Sequence, residues 1–117
     1  MKNIHIFMTL LLVIICLQAG MAHPPADVQL DFNKDSKVLT VTSIHPVKDT
    51  AEHIVNKIEV KVNGETMVEQ HFLSQQDGEK QVVPFLLQDL KPGDKVEVTA
   101  HCNVFGKKKV SMIVEDE

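Results

Sequence analysis

The sequence contains no arginine, no tryptophan and no tyrosine among its 117 residues. Arginine is the side chain whose geometry best matches phosphates and guanine edges, and aromatic rings provide the stacking platforms for unpaired bases. The twelve lysines are scattered apart from one run at residues 107–109, and the formal net charge is -4. These absences argue against nucleic acid as a partner.

Signatures of hydrolases and nucleotide-binding proteins are missing as well. The sequence has no glycine-rich phosphate loop, and none of its serines follows the strand-turn-helix pattern that presents a nucleophile. The carboxylates lie in turns or alternate along apolar runs, which is typical of solvated surfaces. Any chemistry must therefore come from other side chains.

Only one long apolar run is present, at residues 6–17. It leads to small residues around Ala22, which is the pattern of a signal peptide that is cleaved after that residue. The run is shorter than the roughly 20 residues that cross a bilayer, so we expect no stable membrane insertion. We predict a signal peptide over residues 1–22 and an exported protein, periplasmic or secreted, whose mature chain starts at His23.

Cysteine is scarce, with only Cys16 and Cys102. Cys16 falls within the predicted signal peptide, and Ile15 precedes it where lipid attachment calls for a small residue. Cys102 is then alone in the mature chain, and no intramolecular disulfide is expected despite export. A lone thiol of this kind is a buried core side chain, a metal ligand or an intermolecular partner.

Short runs of apolar and β-branched residues recur between turn residues throughout the mature chain, a pattern of strands rather than helices. Asn63-Gly64 accepts the positive φ angles of a tight hairpin, and residues 77–78 and 91–94 separate later runs in the same way. The predicted strands are approximately 28–32, 37–44, 54–62, 65–72, 81–87, 95–102 and 108–114. The sequence predicts one all-β domain over residues 23–117, an immunoglobulin-like β-sandwich of about seven antiparallel strands.

Histidine is plentiful in the mature chain. The five histidines are His23, His45, His53, His71 and His101. Imidazole suits iron, copper and zinc, and a thiolate adds a soft ligand, so this composition favours a transition metal over calcium or magnesium. The first three lie at the chain start or in the loop between the second and third strands, where loops at one sandwich end converge.

Cys102 ends the sixth predicted strand and can meet that loop, because neighbouring strands run in opposite directions. Alternation also places it on one face with Val96, Val98 and Ala100, so a core role is equally compatible with the pattern. The same alternation turns His101 to the opposite face. The choice between core and ligand stays open on spacing alone.

Four short motifs follow one another along the mature chain: His23-Pro24-Pro25, His45-Pro46, His53-Ile54 and Cys102-Asn103. Their order resembles that in the iron-binding domain of desulfoferrodoxin and neelaredoxin, the superoxide reductase family. The four motifs are similar to the family's His-x-Pro, its His-Pro loop, the following His-x-Ile and its Cys-Asn-x-His. The resemblance covers nearly the whole mature chain and implies an immunoglobulin-like sandwich.

The resemblance also implies a mononuclear iron site that reduces superoxide to hydrogen peroxide with electrons from an external donor. It implies His23, His45 and His53 as equatorial ligands and Cys102 as the axial thiolate ligand. In the family a fourth imidazole belongs to the Cys-Asn-x-His motif. Phe105 stands at that position here, and a phenyl ring cannot bind a metal.

Two residues of the loop between the second and third strands resemble further functional residues of the family. Lys48 corresponds to the lysine that attracts the superoxide anion near the open coordination position. Glu52 corresponds to the loop glutamate that occupies this position. An ordinary solvated lysine is the alternative interpretation of Lys48.

Two other functions fit the same residues. Cleavage after Ala22 would give His23 a free amine, and this amine with its own imidazole and either His45 or His53 would bind copper for storage or delivery. The second is a metal-free sandwich that acts as an interaction domain, since fold does not fix function. The sequence leaves open whether copies of the chain form a homo-oligomer.

Overall fold

A computed structural model describes residues 23–116 and contains seven β-strands there. The strands are β1 Asp27–Asn33, β2 Val38–Ile44, β3 Val55–Val62, β4 Glu65–His71, β5 Lys80–Leu86, β6 Lys95–Cys102 and β7 Lys107–Ile113. The predicted signal peptide, with Cys16 and the cleavage point, lies outside the described residues. Within residues 23–116 no helix is long and apolar enough to cross a membrane.

The strands form two antiparallel sheets that face each other. One sheet has the order β1-β2-β5 and the other the order β4-β3-β6-β7. The predicted all-β sandwich of seven antiparallel strands is confirmed, and each predicted strand end differs by at most one residue from the observed one. The pattern of short alternating runs was sufficient because each strand has one face in the core.

The core lies between the two sheets and is built by alternate residues of the inner strands. Fully buried side chains include Leu39 and Val41 on β2, Ile58 and Val60 on β3, and Val96 and Val98 on β6. Full burial of one such side chain stabilises the fold by about 1.5–3 kcal/mol. This core fixes the strands whose ends carry the histidines and the cysteine.

The hairpin between β3 and β4 follows the expected chemistry. Asn63 and Gly64 have φ angles of 50° and 87°. Asparagine tolerates this left-handed region better than most residues, and glycine enters it without a Cβ clash. The Asn63-Gly64 turn predicted from the sequence is therefore present.

Strand register brings the chain start, the β2–β3 loop and the end of β6 to one end of the sandwich. Asp27 of β1 pairs with Ile44 of β2, so the residues before β1 lie beside the residues after β2. Val55 of β3 pairs with Cys102 of β6, so the residues before β3 lie beside the end of β6. These two pairings position the candidate site.

Candidate metal centre

His45, His53 and Cys102 converge at this end of the sandwich. One ligand atom from each, an imidazole nitrogen or the sulfur, lies within 4.8 Å of the corresponding atoms of the other two. His23 lies outside this group of three, but its ring is adjacent, with its centroid 5.4 Å from that of His45 and 5.6 Å from that of His53. The structure thus brings three of the four residues that the sequence proposed as metal ligands together and places the fourth, His23, beside two of them.

His45 follows β2 directly and is fully buried. Its Nδ1 donates to Oε1 of Gln75 at 2.8 Å, and its backbone N–H donates to the Glu79 carbonyl at 2.8 Å. Its Nε2 is buried and has no hydrogen-bond partner among the described residues. With the proton on Nδ1, the lone pair of Nε2 is available to a metal.

His53 ends a single helical turn. The Asp49 carboxylate caps this turn by accepting from the backbone N–H groups of Ala51 and Glu52 at 3.0 and 3.2 Å, and the His53 N–H donates to the Asp49 carbonyl at 3.0 Å. The cap satisfies N–H groups that would otherwise lack a partner. The capped turn also fixes the backbone position of His53, from which the imidazole ring projects.

The surroundings of His53 favour the neutral imidazole. Burial lowers the pKa of His53 below its ordinary value of 6.5, and the nearby imidazoles of His45 and His23 lower this pKa further, because positive charges in one cluster repel. Its Nε2 is also buried without a partner among the described residues. Neutral imidazole is the form that binds transition metals.

Cys102 ends β6 with only 8% of its surface exposed. Its sulfur accepts from the backbone N–H of Val104 at 3.4 Å, a contact that holds the sulfur in place at the end of the strand. The next residue, Asn103, accepts from the Ile54 N–H at 2.8 Å and donates to the Glu52 carbonyl at 2.9 Å. Asn103 therefore ties the cysteine turn to the residues on either side of His53.

His23 is held beside the cluster by the residue that follows it. Its Nδ1 lies 3.0 Å from the carbonyl oxygen of Pro24. A carbonyl oxygen only accepts, so Nδ1 carries the proton and Nε2 keeps the lone pair. The backbone N–H of Ala26 donates to the Ile44 carbonyl at 2.7 Å, which anchors the segment at the start of β1.

The donor set fits a transition-metal ion. Two buried imidazole nitrogens without partners are costly in a folded protein, about 1–3 kcal/mol each, and a bound metal satisfies both. Metal–ligand bonds of about 2.0–2.3 Å place neighbouring donors within roughly 4.5 Å of each other, close to the observed spacing. Imidazole and thiolate together suit iron, copper and zinc.

An open cavity of about 490 Å³ adjoins the cluster. His23, His53 and Lys48 are among the residues that line it. Lys48 is exposed and can present its ammonium group to an anion that enters. Glu52 is also exposed but is not among the described residues that line the cavity, and its carbonyl oxygen binds Asn103.

The remaining candidates lie away from the cluster. His101 pairs with Lys57 of β3 across the outer face of the four-stranded sheet, and His71 pairs with the same lysine from β4. Cys102 points into the sandwich, so its neighbour His101 points out. Phe105 lies in the turn between β6 and β7 with 60% of its surface exposed. None of these side chains takes the place of a fourth imidazole ligand.

Two residues of the site were not predicted from the sequence. Asn103 belongs to the Cys102-Asn103 motif, and its position beside Cys102 is the signal that could have indicated its role. Gln75 lies in a polar loop, thirty positions from the histidine that it binds. Neither periodicity nor spacing distinguishes it from Gln76.

Comparisons with known proteins support the fold. Neither protein-family models nor curated proteins give a match to this sequence. The structure is similar to that of a superoxide reductase (1Fe-SOR) from Giardia intestinalis, with a TM-score of 0.61, 16% sequence identity and coverage of 79% of this chain and 100% of that chain. It is also similar to a superoxide reductase (neelaredoxin) from Ignicoccus hospitalis, with a TM-score of 0.53, 16% identity and coverage of 81% of both chains.

At this level of identity the similarity shows the fold. The described residues share the fold of these superoxide reductase structures, and the resemblance that the four sequence motifs indicated is confirmed at the level of fold. A shared fold leaves the chemistry of the site open.

Proposed function

We propose that His23, His45, His53 and Cys102 hold one iron ion and that this site reduces superoxide to hydrogen peroxide. The observation that carries the proposal is the pair of buried Nε2 atoms on His45 and His53, neither of which has a hydrogen-bond partner within residues 23–116, next to the buried Cys102. The superoxide reductase-like fold supports the choice of reaction. The family resemblance of the four motifs supports the choice of ligands.

Reduction of one superoxide to one hydrogen peroxide consumes one electron and two protons. When bound, ferrous iron supplies that electron, and a thiolate ligand increases the electron density at the metal. The two protons come from solvent, to which the cavity beside His23 and His53 is open. An external one-electron donor must then restore the ferrous state.

In this proposal the side chains of the protein bind the metal ion and attract the superoxide anion. His45 and His53 offer nitrogen lone pairs from fixed, buried positions, and Cys102 offers sulfur. Lys48 lines the cavity and attracts the superoxide anion. Asp49 also lines the cavity, but its carboxylate accepts from the N–H groups of the helical turn.

The proposed ligand set differs from the four imidazoles and one thiolate that the family resemblance implies. Phe105 occupies the fourth histidine's place in the motif and is exposed. We propose three imidazoles and one thiolate from the chain, with solvent free to take a further position. The loss of one imidazole donor changes the reduction potential of the site.

Copper is the alternative metal, in a site built on the amine of His23. In that site the imidazole nitrogen that chelates together with the residue's own amine is Nδ1, since Nε2 lies on the far side of the ring. Nδ1 of His23 instead faces the Pro24 carbonyl at 3.0 Å. This orientation leaves Nε2 for the metal and favours the iron proposal over the copper one.

Metal analysis and visible spectroscopy of the purified protein test the proposal. We expect near-stoichiometric iron after ferrous loading and, on oxidation, a visible band from a ferric thiolate. Cys102→Ser should abolish this band and His45→Ala should weaken iron retention, whereas His71→Ala should change neither. Copper in place of iron would favour the alternative, and no bound metal after separate loading with ferrous iron and with copper would contradict both.

We further propose that the protein is exported to the periplasm or secreted, on the strength of the signal peptide predicted over residues 1–22. The N-terminal sequence of the protein recovered from expressing cells tests this. His23 as the first residue is the expected result. An N-terminus at Met1 would contradict export by cleavage.

A further inference from the structure

Gln75 is a buried amide at the centre of the site's hydrogen bonds. It lies in the loop between β4 and β5 and exposes only 4% of its surface. Its Oε1 accepts from the Val55 backbone N–H at 3.0 Å and from His45 Nδ1 at 2.8 Å. Its Nε2 donates to the carbonyl oxygens of His45 and Asp77 at 2.8 and 2.9 Å.

These partners fix the orientation of the amide and of the imidazole. Two carbonyl oxygens need donors, so the NH₂ group of Gln75 must face them. The Val55 N–H needs an acceptor, so Oε1 must face it. Because Oε1 only accepts, the proton of the neutral His45 ring is on Nδ1, and Nε2 is left with its lone pair.

Gln75 also holds together the β2–β3 loop, which carries the proposed ligands His45 and His53. Its backbone N–H donates to the Thr50 carbonyl at 2.9 Å, in the middle of that loop. Its side chain binds His45 at the beginning of the loop and Val55 at its end. Gln76, its neighbour, is exposed and binds the Val82 N–H at 3.0 Å instead.

We propose that Gln75 is the positioning residue of the metal site, which sets the tautomer and the direction of His45 and so determines metal affinity. The inference rests on the proposed metal site but not on the reaction with superoxide. Partners that orient a ligating histidine typically contribute about 10–100-fold to metal affinity. The neutral amide performs here the task that a carboxylate or a backbone carbonyl performs in other sites.

Three variants separate positioning from simple support of the loop. Gln75→Met keeps the length of the side chain and removes every polar contact. Gln75→Glu keeps an acceptor for His45 Nδ1 but loses the donor to the two carbonyl oxygens, so it costs stability. Gln76→Met removes a hydrogen bond from the same loop without touching a histidine.

The experiment is a titration of each metal-free protein with Co²⁺, followed by visible absorption, together with ¹⁵N NMR of the His45 ring in the metal-free state. We expect Gln75→Met to bind Co²⁺ about 10–100-fold more weakly and to lose the preference for the Nδ1–H tautomer. We expect Gln75→Glu and Gln76→Met to retain both the affinity and the tautomer.

A folded Gln75→Met with wild-type affinity and the wild-type tautomer would overturn the inference while leaving the metal site intact. If Gln75→Met does not fold, Gln75→Glu decides: retained affinity and tautomer support positioning, and a loss as large as that expected for Gln75→Met overturns it. A wild-type protein that binds no Co²⁺ would overturn the proposed metal site and this inference together.

Discussion

Gly106 lies so close to Pro24 that a Cβ atom at position 106 would sit 2.9 Å from the Cβ of Pro24. The φ angle of Gly106 is +79°, which side chains rarely adopt. The carbonyl of Gly106 accepts from the Cys102 N–H at 3.0 Å. One glycine therefore contacts both the segment of His23 and the cysteine of the candidate metal centre.

Gly106→Ala should destabilise the fold and weaken metal binding. The left-handed φ angle alone costs about 1–2 kcal/mol for alanine, and the new methyl group displaces Pro24 and with it His23. Urea unfolding of the metal-free protein and a Co²⁺ titration measure the two effects.

Gly93→Ala is the matched control for this change. Gly93 has a φ angle of +90°, but a Cβ atom there meets nothing within 4 Å. We expect a similar loss of stability and an unchanged affinity for Co²⁺. Equal affinities of the two variants would contradict a role for Gly106 in placing His23.

Phe105→His should tighten iron binding. Phe105 is in the turn that follows Cys102, at the position where the family motif has its fourth imidazole, and its exposed ring contributes little to the core. Competition with a chelator measures the affinity. As a control, Val104→His puts an imidazole on the same turn one residue earlier and should leave the iron affinity unchanged. An unchanged iron affinity in Phe105→His would contradict the prediction and show that the turn cannot present a ligand.

Lys48→Ala should slow the reaction of the loaded protein with superoxide. The lysine lines the cavity beside His23 and His53, and a cation there raises the local concentration of an anion. We expect a loss of at least about 2-fold at low ionic strength that shrinks as salt screens the charge.

Lys108→Ala makes the same change of net charge on exposed β7 and serves as the control for Lys48→Ala. Its rate should match that of the wild type at each salt concentration. If both lysine variants slowed equally, net charge rather than the cavity lysine would account for the attraction.

Asp94→Asn should make the free energy of unfolding depend less steeply on pH in the acidic range. The Lys91 backbone N–H and then the Asn63 side chain hold the pKa of Asp94 below its ordinary value of 3.8. A lowered carboxylate pKa stabilises the fold above 3.8, and this contribution is lost as pH falls through the lower, folded pKa.

Urea unfolding between about pH 6 and about pH 3 tests this linkage. The difference in free energy of unfolding between wild type and Asp94→Asn should be largest at the upper end of this pH range and should shrink as pH falls below 3.8. Asp89→Asn, at an exposed turn residue, is the charge-matched control. A constant difference over the whole range would contradict the assignment to Asp94.

The sequence predicted the strands well because their alternation follows from burial of one face. Val96, Val98, Ala100 and Cys102 are all buried as the period of two requires, and Asn63-Gly64 forms its hairpin. The convergence of His45 and Cys102 could be expected from the antiparallel arrangement of strands. These features depend on local pattern and simple topology.

The parts of the site that escaped prediction depend on the path of loops. The contact of Gln75 with His45 joins two loops, and Gln75 and Gln76 have the same local sequence properties. The packing of Gly106 on Pro24 joins the chain start to the β6–β7 turn. Side-chain contacts of this type appear only when both loops are positioned by the sandwich.

The yield of hydrogen peroxide per superoxide consumed tests the central claim most directly. The ferrous protein is mixed rapidly with superoxide, and the decay of superoxide, the oxidation of the site and the peroxide formed are followed. The account predicts fast decay, one peroxide per superoxide and one oxidised site per turnover, with loss of this reaction in Cys102→Ser. Decay no faster than in buffer, or one peroxide for every two superoxide molecules as in dismutation, would contradict it.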